Sequence, residues 1–296
     1  MAARPATIID AHHHLWDLDA CSYPWLMKKG IKRFFGDPTP IQKNYLLEDY
    51  LAESPLYRPD KSVHIQVGVD SGDELNETEW LQSLPGFPHA IVAAADLTDT
   101  HLQHHLDKQL MHNRVRGIRQ IVGRHVEEDK KHGSDALLED ARFVSGLKTL
   151  AATELTFDLQ MIPQQMPRVI AMLKKVPQLK VALCHCGSPW DQSADGLAQW
   201  ADGLRQLAEL PNTVCKVSGL GMFNPHWDEA ALHPIVLTVI DIFQPQRVMF
   251  GSNFPVDKLY NDYAALWAAY DSITQGFSAE QRDQMFGGTA GQFYRI

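Results

Sequence analysis

An α/β fold, a single (β/α)8 TIM barrel open to local distortion, is what the 296 residues predict. Three observations carry the prediction. Eight short β-branched or apolar runs recur along the chain, segments with helical spacing separate them, and polar residues gather at the C-terminal ends of the runs. The runs are 7–14, 62–69, 90–97, 115–122, 155–162, 180–187, 213–220 and 247–254. The clearest amphipathic stretches between them are 135–152, 163–175, 194–209, 229–243 and 261–273, where apolar side chains recur at three and four residues. Strict strand-helix alternation implies parallel pairing, and eight units suffice to close a barrel. An open doubly wound sheet usually has fewer strands and often a glycine-rich phosphate turn after the first, and none follows here.

No composition shift, low-complexity tract or charged tail divides the chain, so residues 1–296 read as one domain. Hydrophobic residues make up 45% and charged residues 21%, the balance of a globular protein with a sizeable core. Lys and Arg number 27 against 36 Asp and Glu, a net charge of −9, which argues against a nucleic-acid surface and weakly against anionic membranes. An anionic or sugar-derived small molecule stays open, because a local cluster of Arg and Lys can oppose the global sign. No early stretch joins basic residues to a long apolar run, so neither a signal peptide nor a membrane span is expected. Cys21, Cys184, Cys186 and Cys215 show no disulfide spacing, which suits a reducing cytoplasm. A homo-oligomer is left open.

The first run ends in His12, His13 and His14. Alternation along a strand places His12 and His14 on the face of Asp10 and turns His13 away. Two imidazoles projecting together can hold a metal ion or clamp an anion. Later runs bring His64 and Gln66, Arg119 and Gln120, Asp158 and Gln160, His185, Lys216 and Ser218, and Asn253 to the same barrel mouth. Charges at the ends of apolar strands are costly unless they pair or meet a ligand. Lys216, Arg119 and Arg124 are candidates to bind a substrate carboxylate or an oxyanion, and their bland alternative is an ion pair with Asp158 or Asp10. Cys184 and Cys186 bracket His185 on the opposite strand face and read as small buried hydrophobes. The irregular stretches 16–44, 123–134 and 187–193 follow strand ends and would overhang the mouth. In the first of them Trp16, Tyr23, Trp25, Phe34 and Phe35 suit a lid, a second hydrophobic layer or a subunit contact.

Four motifs resemble the amidohydrolase superfamily, in its amidohydrolase 2 branch of TIM-barrel lactonases and hydrolases, similar to L-fuconolactonases, L-rhamnonolactonases and 2-pyrone-4,6-dicarboxylate hydrolases. They are Ile9-Asp10-Ala11-His12-His13-His14-Leu15-Trp16, Cys184-His185-Cys186-Gly187-Ser188-Pro189, Lys216-Val217-Ser218-Gly219-Leu220 and Phe250-Gly251-Ser252-Asn253-Phe254-Pro255. The resemblance implies hydrolysis of a small ring ester by water. With the strand-end chemistry it makes His185, Asn253 and Lys216 the catalytic candidates. Arg119, Arg124, Gln66, Gln160, Ser218 and Asp158 are then the substrate-binding candidates. His12, His14 and His185 could hold one divalent ion, zinc or manganese, with an open position for water. Two departures matter. Arg119-Gln120 and Asp158-Leu159-Gln160 stand where metal-dependent members place further ligands, so a two-metal site is not expected. Asn253 stands where the branch has a carboxylate base, and an amide cannot accept a proton near pH 7. The missing base could be His185, an unmetallated His12 or His14, Asp257, or a metal-bound hydroxide. A metal-dependent decarboxylase and a non-catalytic binder that has lost its base are the competing functions.

Overall fold

The computed structural model describes residues 5–53, 55–132 and 135–296. Eight parallel strands form one sheet in chain order: β1 (Ile9–His13), β2 (Lys61–Ile65), β3 (Ala90–Ala94), β4 (Val115–Arg119), β5 (Thr156–Leu159), β6 (Val181–Leu183), β7 (Thr213–Val217) and β8 (Val248–Phe250). Each overlaps its predicted run but is shorter, so most of the polar residues at the C-terminal ends sit in the turns just beyond the strands. The end of β8 meets the end of β1 through backbone bonds from Asn253 N–H to His12 O and from His14 N–H to Phe254 O, each 2.7 Å, which bring the barrel to closure. An added Cβ at Gly251 would collide with His12, so this seam needs glycine there.

Helices pack between and outside the strands. Glu229–Phe243 matches its predicted span, and Ala194–Ala208 and Tyr263–Ile273 nearly match theirs. Residues 135–152 divide into Asp135–Glu139 and Ala141–Ala151, because the Asp140 carboxylate caps the second helix by accepting from Arg142 N. The expected irregular stretch 123–134 contains a helix, Val126–His132, whose first turn carries Glu127, Glu128 and Asp129 at the positive end of the helix dipole. Residues 133 and 134 of that stretch lie outside the described residues. No described helix is long and apolar enough to cross a membrane.

The core has two compartments. Ile9, Ala11, Val63, Ile65, Ala90, Val92, Ala182, Val214 and Met249 point into the barrel, and Ala290, Phe293 and Tyr294 of the last helix, Thr289–Tyr294, plug its lower end. A larger layer between strands and helices includes Ile91, Ile118, Phe157, Leu183, Val217 and Phe250. The alternation expected for β1 fails at one point. Asp10 pairs with Ser62 and His13 with His64, so three steps on β1 oppose two on β2 and a bulge intervenes. Asp10 consequently faces outward, accepting from Tyr50 OH, Tyr263 OH and Ser252 Oγ, whereas His12 and His14 face inward. His13 does turn away, stacking on Tyr50 at 4.2 Å, and His64 joins it on the outer side by bonding to Leu15 O.

Candidate active site

A cleft of about 790 Å³ opens at the C-terminal ends of the strands. His14, Arg119, Arg124, Gln160, His185 and Asn253 are on its wall. The other predicted residues lie behind it. Lys216 and Asp158 form a fully buried ion pair at 2.6 Å, completed by Lys216 Nζ donating to Ala11 O and by Tyr294 OH donating to Asp158. That pairing is the bland alternative for Lys216. Gln66 is spent on backbone, donating to Arg119 O and accepting from Gly68 N–H. Ser218 stands behind His185, its Oγ 3.0 Å from the imidazole Nδ1. His12 is wholly buried, its ring 4.4 Å from that of His185 and 5.1 Å from that of His14, with no hydrogen-bond partner on either nitrogen.

The turns that present these groups adopt unusual backbone. His185, Cys186, Gly187 and Ser188 are consecutive residues with φ between 53° and 69°, and Asn253 has φ 56°. Non-glycine residues in the left-handed region cost free energy and cluster at functional sites. Gly219 (φ 65°) is needed because a Cβ there would collide with His185 Nδ1. Cys184 and Cys186 are buried free thiols.

Arg119 is the electrostatic centre. It is 5% exposed, yet among the described residues its guanidinium donates only to neutral oxygens, Gln66 O and Gln160 Oε1, and its Nε is buried without a partner. Burial lowers the pKa of the guanidinium from its ordinary value. Burial also holds the imidazoles neutral: His12 and His14 are pushed well below their usual range and His185 down to about 3, with Arg119 adding repulsion at each. The cleft wall carries Lys28, Lys32, Arg33, Arg119 and Arg124 against Glu127 and Glu128, a local excess of cations on a chain of net charge −9.

The three histidines were expected as metal ligands. Among the described residues no group of three His, Cys, Asp or Glu side chains is arranged to hold an ion. His14 has both nitrogens engaged, Nδ1 with Ile65 O at 2.7 Å and Nε2 with the Asn253 amide at 3.2 Å. Asn253 brings no charge to offset a dication, and Arg119 and Lys216 both repel positive charge at His12. The donor set therefore does not fit a divalent ion, despite the two unpartnered nitrogens of His12.

The overhanging loops supply some residues the sequence had marked, Trp25, Phe34 and Phe35, and others it passed over, Arg33, His125 and Glu128. Arg33, from the segment after β1, pairs with Glu128 of the helix after β4 at 2.5 Å, and Glu128 also accepts from Phe34 N–H. Phe34 stacks on His125 with rings 5.5 Å apart, and Trp25, Phe34 and Phe35 line the cleft. Trp16 and Tyr23 are instead fully buried in the outer layer. Trp25, Phe34 and Phe35 are thus the lid candidates that reach the cleft. Nothing in the sequence marked Arg33 and Glu128 as partners 95 positions apart.

A family model described as amidohydrolase matches residues 9–296. A protein of Sinorhizobium fredii (strain NBRC 101917 / NGR234), called uncharacterized protein y4mH, is 39% identical over 98% of this chain and 98% of its own length. An L-fucono-1,5-lactonase of Burkholderia ambifaria is 30% identical over 97% of this chain and 95% of its own. A zinc-bound crystal structure of an amidohydrolase from Burkholderia multivorans superposes with a TM-score of 0.83 at 26% identity, covering 98% of this chain and all of that one.

Proposed function

The chain belongs to the amidohydrolase family, and from that premise we propose that it opens a small lactone bearing an anionic group, by water attack on the ring carbonyl and without a metal ion. The observation that carries this reading is Arg119, a buried cation on the cleft wall with only neutral oxygens for partners, facing the same space as His185. A buried cation with no carboxylate in direct contact, Asp158 and Glu77 acting on it only at longer range, is costly, and a substrate carboxylate or a developing oxyanion supplies a direct partner. Lys28, Lys32, Arg33 and Arg124 extend that positive field to the mouth.

In this reading His185 donates Nδ1–H to Ser218 and keeps the Nε2 lone pair for the cleft. Water adds to the carbonyl carbon as Nε2 takes its proton, the tetrahedral oxyanion is held by Arg119, and the ring C–O bond breaks as the proton passes to the leaving alkoxide. The product is a hydroxy acid. A base lowered to about 3 is weak, so stabilisation of the oxyanion carries the larger share of the catalysis.

The test is acid release in chelator-treated buffer from L-fucono-1,5-lactone, other sugar lactones and lactones carrying a second carboxylate. Carboxylate-bearing substrates should be turned over fastest, and His185→Ala should lose about 10²- to 10⁴-fold. Equal background rates for the two proteins across the panel would refute the assignment.

A further inference from the structure

Asn253 stands between two groups whose protons constrain each other. Its Oδ1 lies 3.2 Å from His14 Nε2 and its Nδ2 lies 3.4 Å from Asp257 Oδ1. His14 Nδ1 is 2.7 Å from the Ile65 carbonyl, an acceptor, so Nδ1 carries a hydrogen. A neutral imidazole has one N–H, so Nε2 presents a lone pair and needs a donor opposite it. A half-turn about the Asn253 Cβ–Cγ axis's terminal torsion exchanges the two ends of the amide and supplies that donor, Nδ2–H. The amide oxygen then faces Asp257 and needs a donor in turn. A protonated carboxyl group is that donor. The alternative assignment keeps the amide unturned and makes His14 an imidazolium and Asp257 a carboxylate, two separated charges in a buried site where Arg119 already repels the first.

Accordingly we propose that Asp257 is a protonated carboxylic acid that fixes the Asn253 amide, and through it the neutral tautomer of His14, in place of the carboxylate that Asn253 lacks. Asp257 acts through Asn253 and does not itself line the cleft, so it is a positioning residue. Its surroundings fit the neutral form. It is 3% exposed, and its Oδ2 has no hydrogen-bond partner. The groups around it are the Asn253 amide and the backbone amides of Gly219 and Gly221, which favour the anion, and the phenols of Tyr260 and Tyr270; burial with no cation beside it outweighs the amides. Among the described residues none of the ion pairs includes it, and the neighbouring Lys258 is taken by Glu53. Burial pushes its pKa up to about 8.

The consequence for the reaction rests on the lactone-opening reading, but the protonation state does not. Ionisation of Asp257 removes the donor to the amide oxygen and unlocks Asn253. The pH profile of kcat/KM should therefore fall about tenfold per unit above about pH 8. Asp257→Asn keeps a donor, its own N–H, at every pH. That variant should stay within a few-fold of wild type at pH 7 and lose the alkaline limb, whereas Asp257→Ala should fall about tenfold or more at every pH. Infrared difference spectra at pH 7 should show a protonated-carboxyl band in the wild type that is missing from Asp257→Asn. Absence of that band overturns the proposal whether or not any lactone is turned over. So does an alkaline limb that survives unchanged in Asp257→Asn.

Discussion

Lys216 and Arg119 are both buried cations inside one barrel, but Lys216 meets a carboxylate at 2.6 Å whereas Arg119 meets only neutral oxygens. The lower site is saturated. Asp158 receives Lys216 and Tyr294, Lys216 also reaches Ala11 O, and the pair sits just above the plug formed by the last helix. At the mouth, Arg119 Nε is left over, and behind the wall both nitrogens of His12 are. Groups that satisfy one another hold a fold together, and an unpartnered charge on a cleft wall is a candidate to meet a ligand. The difference separates a satisfied charge on β7 from one without a direct ion-pair partner on β4, inside the same barrel.

Breaking the saturated site should produce the largest loss. Lys216→Met strands Asp158 as an unpaired buried carboxylate and should cost about 3–5 kcal/mol in urea unfolding, while the double change Lys216→Met with Asp158→Leu should recover much of it. A single variant that loses less than about 1 kcal/mol would show the pair to be dispensable. The same manipulation at the mouth should do the reverse: Arg119→Met should cost about 10²- to 10³-fold in kcat/KM and leave the urea midpoint unchanged or raised. Loss of stability there without loss of turnover would erase the contrast.

The pH dependence of stability sharpens it further. Burial holds His12, His13, His14, His64, His89 and His185 below the ordinary 6.5, so below that pH the unfolded chain binds protons that the folded chain does not, and stability is lost as the pH is lowered. Glu77 and Asp257, both raised to about 8, together with Asp10 and Asp129, do the opposite, retaining protons in the folded state that the unfolded chain releases. Their contribution is lost as pH rises toward 8. The unfolding temperature should therefore peak near pH 6.5 and decline on both sides, and a scan from pH 5 to 9 checks this. The smallest effect expected is that of chelation. Turnover in EDTA, and after added zinc, should stay within error of the untreated protein, with well under one equivalent of metal bound. Activity that disappears with EDTA and returns with zinc would place an ion among His12, His14 and His185 after all.

Much of the site was legible because a parallel barrel brings all its strand C-termini to one end. Any polar residue at the end of an apolar run was a candidate, and His14, Arg119, Gln160, His185 and Asn253 were found this way and share one cleft. The same rule gathered Gln66, Asp158, Lys216 and Ser218, which lie behind the wall. A position near a strand end does not say which neighbour a side chain will meet. Lys216 finds Asp158 across 58 positions of sequence through the curvature of the sheet.

Strand alternation was informative for His13 and misleading for Asp10. Periodicity is a local property, fixed by the backbone of one strand. The bulge that turns Asp10 outward is a property of the β1–β2 pair, so no reading of β1 alone contains it. Asn253 shows the same division. Its identity, an amide that cannot serve as a base, is plain from the chain, but its chemistry depends on His14, 239 positions away, and on Asp257 held over the amides of Gly219 and Gly221. Order along the chain sets which residues are available and, through alternation of strand and helix, the barrel itself. Which of them satisfy one another is settled by packing, because hydrogen bonds and ion pairs are short-ranged and join whatever the closed sheet brings together.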